Sequence, residues 1–284
     1  AKLYGVELDD ISARIADKLY PSATIVNSGF EKTNFPDSFF DAVVGNLPFG
    51  AYKAYDQDYN RHNFFIHDYF SAKSIDKVRA GGVVALVTSN GVSGGTFDKR
   101  DSKARRYMAE RCDLIGAIRL PDNTFKAAAG TDMNTDILFL QKREVPRDLS
   151  ADMPDWVGVS VVHEHQHEQE NGEIRNNVLT LNNYYREHPE MVLGELEVES
   201  GPFGPQLSCK PKEGEQLADR LREAVSHLQA DITVAEPELD ELADAVDSAI
   251  PADPFVKNFS YTLVDDRVFF RENSLMYPVE LPAP

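Results

Sequence analysis

The sequence contains only two cysteines, Cys112 and Cys209, in 284 residues. They lie far apart, and neither belongs to a CxxC pair or stands at ligand spacing from a histidine, which excludes a disulfide framework and argues against a zinc site. The sequence also has no run of about eighteen apolar residues, the length that a membrane-spanning helix needs. The first residues include neither a secretory signal nor an initiating methionine. We therefore expect a cytoplasmic chain that is part of a longer polypeptide.

Basic residues are scarce, because 29 lysines and arginines stand against 47 aspartates and glutamates, a formal net charge of −18. Proteins bind DNA largely through lysine and arginine, so this total argues against a nucleic-acid partner. The charge is uneven, however. Residues 1–143 contain 19 basic and 18 acidic residues, whereas residues 144–284 contain 10 and 29. The acidity therefore argues against DNA binding only for the second half of the chain.

The first half alternates short apolar runs with helical patterns, as βαβ units do. Strands are predicted at residues 2–8, 22–27, 39–46, 83–89, 114–120 and 136–142. The run at 39–46 is continuous, which is typical of a strand buried on both faces. Helices are predicted at 11–19, with Asp10 as the N-cap, and at 63–79, ended by Gly81-Gly82. This order predicts the α/β class, with a mostly parallel, doubly wound sheet.

The second half has a different, acidic texture, and we place a domain boundary between residues 1–143 and 144–284. We expect the latter to be an acidic α+β extension or linker region. Its predicted elements are a loop or exposed hairpin at 163–173, helices near 179–193 and 213–228, a linker or loosely packed helix at 232–250, and a hairpin near 259–271. His163, His165 and His167 alternate as ligands on one strand face would, but no acid accompanies them at fixed spacing. The pattern therefore favours a solvated loop and no metal.

The most informative motif is Asn46-Leu47-Pro48-Phe49-Gly50, directly after a predicted strand. Residues at the carboxyl end of a strand in such a sheet face the ligand crevice. The Asn46 side-chain oxygen and the Leu47 carbonyl can both accept from one NH₂ group, while Pro48 fixes the turn. The Phe49 ring offers a face for stacking on a planar base. The alternative is an ordinary turn asparagine after a strand.

These residues resemble a known family. Asn-Leu-Pro-Phe is similar to the (Asn/Asp)-Pro-Pro-(Tyr/Phe) motif of S-adenosylmethionine-dependent amino-methyltransferases, in particular the adenine-N6 DNA methyltransferases. GVELD at 5–9 resembles their second-strand motif. Residues 62–91 and 117–143 resemble the methylase region of large bacterial and phage-borne proteins that join a DNA methylase to a helicase. The resemblance covers residues 3–143, and more loosely 181–195 and 269–276.

The resemblance implies a Rossmann-like methyltransferase sheet and S-adenosylmethionine as the cofactor. The family's Gly-rich first motif would precede residue 2, and we expect it, with the first strand, to lie outside this sequence. Glu7, followed by Leu8, would bind the ribose hydroxyls of the cofactor, and Phe30 would lie beside its adenine. For Glu7 the alternative is a solvated acid at a strand end. Leu47 replaces the family's usual proline at a position that acts through its backbone carbonyl.

The same resemblance implies catalysis by Asn46, Leu47, Pro48 and Phe49, without a metal. Phe125 and Thr131 would help to wall the pocket for the base, although Phe125 is equally well a core residue. A basic cluster follows the fourth predicted strand and either meets DNA phosphate or forms a solvated helix face. Its members are Lys99, Arg100, Lys103, Arg105, Arg106 and Arg111.

The leading hypothesis is methyl transfer to the N6 amine of adenine in DNA, within a larger restriction-modification or helicase-linked protein. The expected partners are DNA and a helicase domain of the same polypeptide or complex. One alternative is methylation of an RNA base or a protein glutamine, since the same loop serves these amines. Another is a catalytically silent module that positions a helicase on DNA.

Overall fold

A computed structural model describes residues 2–89, 95–130, 133–168, 174–201, 204–228, 249–253, 255–257, 259–265, 267–272 and 275–279. Thr131 and nearly all of the predicted segment 232–250 lie outside the described residues. No helix in the described part of the chain is long and apolar enough to cross a membrane.

The strands and the α-helices are each numbered in the order in which they occur along the chain. The strands are β1 (Tyr4–Glu7), β2 (Thr24–Asn27), β3 (Phe40–Asn46), β4 (Val78–Ser89), β5 (Cys112–Leu120), β6 (Thr135–Lys142), β7 (Val159–Glu168), β8 (Ile174–Asn182), β9 (Gly194–Gly201), β10 (Gly204–Pro211), β11 (Ile250–Pro251), β12 (Tyr261–Val264), β13 (Arg267–Glu272) and β14 (Leu275–Pro278). The helices are α1 (Asp10–Leu19), α2 (Ile66–Lys77), α3 (Lys103–Arg111), α4 (Lys126–Ala129), α5 (Asn183–Glu187) and α6 (Leu217–Ser226).

All six predicted strands of the first half are present, and the α/β class is confirmed. β1 pairs with β2 in parallel, and a second sheet has the order β3-β4-β6-β5. Within it, β3 and β4 are parallel, but β6 is antiparallel to both of its neighbours. This sheet is therefore mixed: β3, β4 and β5 run in one direction and β6 alone is reversed, so the expectation of a mostly parallel sheet holds for three of these four strands. β6 follows β5 through residues 121–134 and pairs with it directly, Leu120 opposite Thr135.

Two predicted helix boundaries are corrected by hydrogen bonding. The N-cap of α1 is Asp9, not Asp10, because the Asp9 side chain accepts from the Ser12 amide at 2.8 Å. Helix α2 ends at Lys77, and Gly81-Gly82 lies inside β4 instead of closing the helix. A Cβ on Gly82 would lie 2.6 Å from the Asp41 carbonyl oxygen, so the glycine allows β4 to approach β3 closely.

The apolar run of β3 is less buried than its sequence indicates. β3 is the edge strand of its sheet, and Val44 is 83% exposed. The apolar positions of α1, including Ile11 and Ile15, are exposed as well. Nothing in the described residues covers these side chains, which corrects the prediction of a strand buried on both faces.

In the second half, the hairpins are confirmed and one helix is shorter than predicted. β7 pairs with β8, and β12 with β13, which matches the hairpins expected near 163–173 and 259–271. α6 confirms the helix near 213–228. In the predicted helix at 179–193, however, the first residues belong to β8. The helix starts only after Asn182, whose side chain caps α5 by accepting from the Tyr184 amide at 2.9 Å.

The hydrophobic core continues across the predicted boundary at Arg143. One buried cluster includes Ile118 and Leu138 from the first half together with Val157, Tyr185 and Cys209 from the second. A smaller cluster joins residues on both sides in the same way, at Phe39, Ala252, Phe269 and Met276. Both cysteines are buried and unbonded to each other, as core residues. The acidic extension therefore packs on the first half of the chain as part of one core.

A buried ionic network lies at the centre of this shared core. Arg119 in β5 is fully buried, and its guanidinium donates to both carboxylate oxygens of Asp136 in β6 at 2.9 Å. It also donates to Asp98 at 2.7 Å, while the Tyr185 hydroxyl of α5 donates to Asp136 at 2.7 Å. The Asn182 amide donates to the second oxygen of Asp98 at 2.8 Å. Desolvation lowers the pKa of Arg119, but the two carboxylates outweigh it and hold that pKa above its ordinary value.

We predict that Arg119→Met reduces the free energy of unfolding by about 3–5 kcal/mol, because it leaves two buried carboxylates without their cation. Urea unfolding followed by circular dichroism measures the change. Arg222→Met is the matched control, since Arg222 is 75% exposed and pairs with Asp219 on the surface of α6. The control is expected to cost about 1 kcal/mol or less. Equal losses in the two variants would contradict a central role for the network.

Candidate active site

Asn46 is the last residue of β3 and is exposed to solvent. Within the described residues, its side chain makes no hydrogen bond, so the amide oxygen is available to a donor. The parallel ladder places Asn46 opposite Val87 of β4. This asparagine therefore stands at the carboxyl end of a paired strand, where the sequence predicts it.

Leu47 is fixed from two sides, which holds its backbone carbonyl in place. Its amide donates to the Val87 carbonyl at 3.0 Å and so extends the ladder by one residue beyond Asn46. Its side chain is only 5% exposed and belongs to the main core. Proline has no N–H and could not make this bond. The leucine that replaces the family's usual proline therefore holds the carbonyl by pairing and packing.

The rest of the motif leads into a long loop. Pro48 and Phe49 are half-buried. Gly50 has a φ of 153°, and a Cβ there would lie 2.6 Å from the Tyr52 ring, so glycine suits this position. The loop is tied down before α2, because the Ile66 amide donates to the Tyr52 carbonyl at 2.9 Å.

The residues predicted to hold the cofactor lie at the carboxyl ends of β1 and β2. Glu7 is half-buried, and one carboxylate oxygen accepts from the Asp9 amide at 2.9 Å. Its other oxygen has no partner among the described residues and can accept from a hydroxyl. The Asn27 side chain donates to the carbonyls of Glu7 and Leu8 at 3.0 and 3.2 Å, which joins the two strand ends. Leu8 itself is 75% exposed. This arrangement fits a ribose with two adjacent hydroxyls.

Phe30 begins a short 3₁₀ turn, Phe30–Lys32, directly after β2. Its ring is half-buried and packs on Phe70, with the ring centroids 5.0 Å apart. The Lys73 ammonium of α2 lies 5.0 Å from the Phe30 ring and donates to the Phe30 carbonyl at 2.7 Å. The turn is therefore held against α2, with part of the aromatic ring accessible.

A buried group that the sequence does not reveal links this turn to the loop after Asn46. Lys73 is only 3% exposed, and besides the Phe30 carbonyl it donates to Asp56 at 2.9 Å. The Tyr69 hydroxyl donates to the same Asp56 oxygen at 2.6 Å. Desolvation lowers the pKa of Lys73. Desolvation alone would raise the pKa of Asp56, but the hydrogen bonds from Tyr69 and Lys73 bring it below its ordinary value.

Of the predicted DNA-binding residues, Arg105 is buried, and its assignment to DNA is wrong. It is 1% exposed, and its guanidinium donates to the carbonyls of Val157 and Thr96 at 2.9 and 2.8 Å. Desolvation lowers the pKa of this guanidinium to about 10. Arg105 lies on the face of α3 that packs on the core, so it supports the fold and cannot reach a phosphate.

The other predicted DNA-binding residues have different surroundings. Arg100 and Arg106 are exposed, and the Lys99 ammonium lies 4.4 Å from the centre of the Phe65 ring. Phe125 is half-buried and packs against the main core cluster, in agreement with the core alternative. In the part of the chain that the structure describes, no group of three or more side chains is arranged to hold a metal ion.

Comparisons with known proteins bear on the family of the chain. A family model described as "N-6 DNA Methylase" matches residues 2–188. One curated relative, "Defense against restriction protein B" of Escherichia phage P1, is 29% identical over 153 residues. That match covers 52% of this chain and 6% of the relative, so the chain spans only a small part of the relative's length.

Solved structures give weaker similarities. A chain of a type I R-M system is 20% identical with a TM-score of 0.40, and the match covers 50% of this chain and 31% of that one. A TehB-like SAM-dependent methyltransferase from Corynebacterium glutamicum is 16% identical with a TM-score of 0.31, covering 50% and 68% of the two chains. The family match together with the observed strands confirms the predicted Rossmann-like methyltransferase class of fold.

We predict that Leu47→Pro, which introduces the family's usual residue, destabilises this protein. The change removes the amide that binds Val87 and leaves a carbonyl without its donor, at a cost of about 1–3 kcal/mol. Leu47→Met is the control, because it keeps the amide and nearly the same volume, and it should cost less than about 1.5 kcal/mol. Urea unfolding compares the two variants. A Leu47→Pro protein as stable as the wild type would show that the ladder bond contributes nothing.

We also predict that Asp56 contributes to the acid sensitivity of the fold. Because its pKa is lowered on folding, ionised Asp56 adds stability that is present above its ordinary pKa of 3.8 and is lost as the pH falls through the lower folded value. Asp56→Asn removes this contribution. The free energy of unfolding of the wild type should therefore fall more steeply than that of the variant between about pH 5 and pH 2. Parallel curves would contradict the prediction.

Proposed function

This chain belongs to the N-6 DNA methylase family, and from that premise we propose that it transfers a methyl group from S-adenosylmethionine to the N6 amine of adenine in DNA. The observation that carries the proposal is the pair of acceptors at the carboxyl end of β3. The Asn46 side chain is exposed and makes no hydrogen bond within the described residues, and the adjacent Leu47 carbonyl is held by the ladder and the core.

Two neighbouring acceptors suit the chemistry of an exocyclic amine. The lone pair of adenine N6 is delocalised into the purine ring, so the amine is a weak nucleophile. When Asn46 and Leu47 each accept one of its N–H groups, they draw the nitrogen toward tetrahedral geometry and localise the lone pair. S-adenosylmethionine supplies a methyl group on an electrophilic sulfonium. The bound cofactor would supply the methyl group to this nitrogen and leave as the neutral thioether, and the methylated amine would lose one proton to water, which reaches the exposed Asn46.

The base has to leave the duplex before it reaches these acceptors. Extruding a nucleotide costs a few kcal/mol, and stacking on an aromatic side chain offsets part of it. Phe49, half-buried two residues after Leu47, supplies such a ring. Pro48 restricts the backbone between acceptor and ring. Phe125 is a proposed wall of the same pocket, and Thr131 lies outside the described residues.

The cofactor would lie at the carboxyl ends of β1 and β2. Glu7 would accept from the ribose hydroxyls through the oxygen that has no partner among the described residues. Leu8 would cover the ribose with its exposed side chain, and Phe30 would pack beside the adenine. The bonds from Asn27 and Lys73 hold these segments in position before the cofactor arrives.

We further propose that the chain acts as part of a larger restriction-modification or helicase-linked protein. The relative from phage P1 is named for defence against restriction, and this chain spans 6% of its length. The family is one of DNA methylases, which supports DNA as the partner. A helicase domain in the same polypeptide or complex is the proposed second partner.

We predict that Asn46→Ala abolishes methyl transfer while cofactor binding is retained. The loss of one acceptor that acts in the transition state should lower kcat by about 100-fold or more. Transfer of tritium from labelled S-adenosylmethionine to an adenine-containing duplex measures it, in the full-length polypeptide that carries the chain. Asn46→Asp is the control because it keeps an acceptor oxygen, and we expect it to retain more activity than Asn46→Ala. Undiminished transfer by Asn46→Ala would refute the assigned role.

A further inference from the structure

Three clefts that share lining residues form one depression, and it reaches the loop that follows Asn46. Their volumes are about 840, 130 and 730 Å³. Lys99 and Asp101 line both the first and the second, and Lys103, His62 and Phe64 line both the second and the third. The depression is therefore long and open, which suits an extended ligand better than a small molecule.

The depression carries a row of basic side chains, which we call the basic track. Its members are Lys53, Arg61, Lys99, Arg100, Lys103 and Arg106. Within the described residues, none of these six forms a salt bridge, whereas Lys77, Arg79, Arg111 and Arg143 of the same half of the chain all do. Because the protein as a whole has a net charge of −18, a row of six cations without salt-bridge partners among the described residues is a local site of attraction for a polyanion.

The acids that line the same clefts have partners other than the side chains of the basic track. Asp122 and Glu199 pair with Lys210, Asp98 pairs with Arg119, and Asp68 accepts from the Thr96 hydroxyl. Glu110 of the third cleft accepts from Arg111 at 2.8 Å, and Asp148 accepts from the Ser150 amide and hydroxyl. Asp101 accepts from the Lys103 amide at 3.0 Å and is itself exposed. The cations therefore face a cleft in which the nearby carboxylates are already engaged by other groups.

The basic track is anchored to the loop that follows the catalytic motif. Lys53 donates to the Asn63 side chain at 2.6 Å. The ammonium groups of Lys53 and Lys99 both lie near the Phe65 ring, 5.7 and 4.4 Å from its centre. Since the ring holds two cations from separate loops, the row is partly preorganised, and its Lys53 end lies in the loop that leaves Asn46.

We propose that the basic track binds the phosphates of the DNA strand that flanks the target base. The inference rests on the proposed function for the identity of the polyanion. Compared with the cluster predicted from the sequence, the basic track lacks the buried Arg105 and the paired Arg111 and adds Lys53 and Arg61. A regular row of phosphates matches an elongated cleft lined by cations, and side chains of this kind position DNA without reading its sequence. The basic track therefore holds the duplex while the base enters the site at Asn46.

The test compares two triple variants of equal charge. One is Arg61→Ala/Lys103→Ala/Arg106→Ala in the basic track. The other is Arg14→Ala/Lys18→Ala/Arg222→Ala, which removes three cations with side chains 77%, 86% and 75% exposed on α1 and α6. Fluorescence anisotropy of a labelled duplex, measured over a salt series without cofactor, reports binding. Unchanged urea midpoints establish that both variants fold.

We expect the variant in the basic track to bind the duplex at least about tenfold more weakly, with a slope of log K against log salt smaller by about 0.9 for each phosphate that is no longer neutralised. The control variant should keep nearly the same affinity for the duplex and nearly the same salt slope. Equal weakening of duplex binding in both variants, or no weakening in the variant of the basic track, would overturn the proposal. Tighter binding of RNA than of duplex DNA would also overturn it and would assign the basic track to RNA. Methyl transfer is assayed separately, so that duplex binding without methylation counts against the proposed function alone.

Discussion

The buried guanidinium of Arg119 is the constraint on which the other parts of the structure depend. It holds Asp136 of the central antiparallel strand and Asp98 of the segment before α3, and through them it reaches Asn182 and Tyr185 beyond the predicted boundary. A charge removed from water at this position has to be matched, so one set of ion pairs and hydrogen bonds holds the strands, the segment and the extension together. Asp98 directly precedes Lys99 and Arg100 of the basic track. Contacts with the acidic extension therefore help to fix the position of these two cations.

The sequence is most informative where the structure depends on local pattern. Strand periodicity located all six strands of the first half, and the motif at Asn46 needs only the strand before it. Direction was not predictable, because β6 pairs antiparallel through contacts between distant segments. The segment 179–193 is predicted as a helix, yet its first residues belong to β8, where partners in β7 supply the competing hydrogen bonds.

Within the site, too, the sequence identifies residues that depend on local pattern and misses those that depend on contacts between distant segments. Glu7 and Asn46 follow strands and were identified by position. Lys73 and Asp56 are seventeen residues apart, and nothing in their spacing shows that a lysine on α2 is buried against a carboxylate and the Phe30 carbonyl. Arg105 was misplaced for the same reason. Its charge predicts a surface position, but it lies on the face of α3 that packs on the core and is buried. Charged residues inside a core need tertiary information, because burial is the less common outcome for them.

The division of charge between the two halves has a consequence for how a large ligand approaches. The extension contributes 29 acidic residues to the net charge, whereas the basic track belongs to the first half. The six cations of the basic track have no salt-bridge partner among the described residues, so they attract a polyanion locally although the chain as a whole repels it. Salt would therefore change the rate of approach through two opposing effects, since it screens both the local attraction and the overall repulsion.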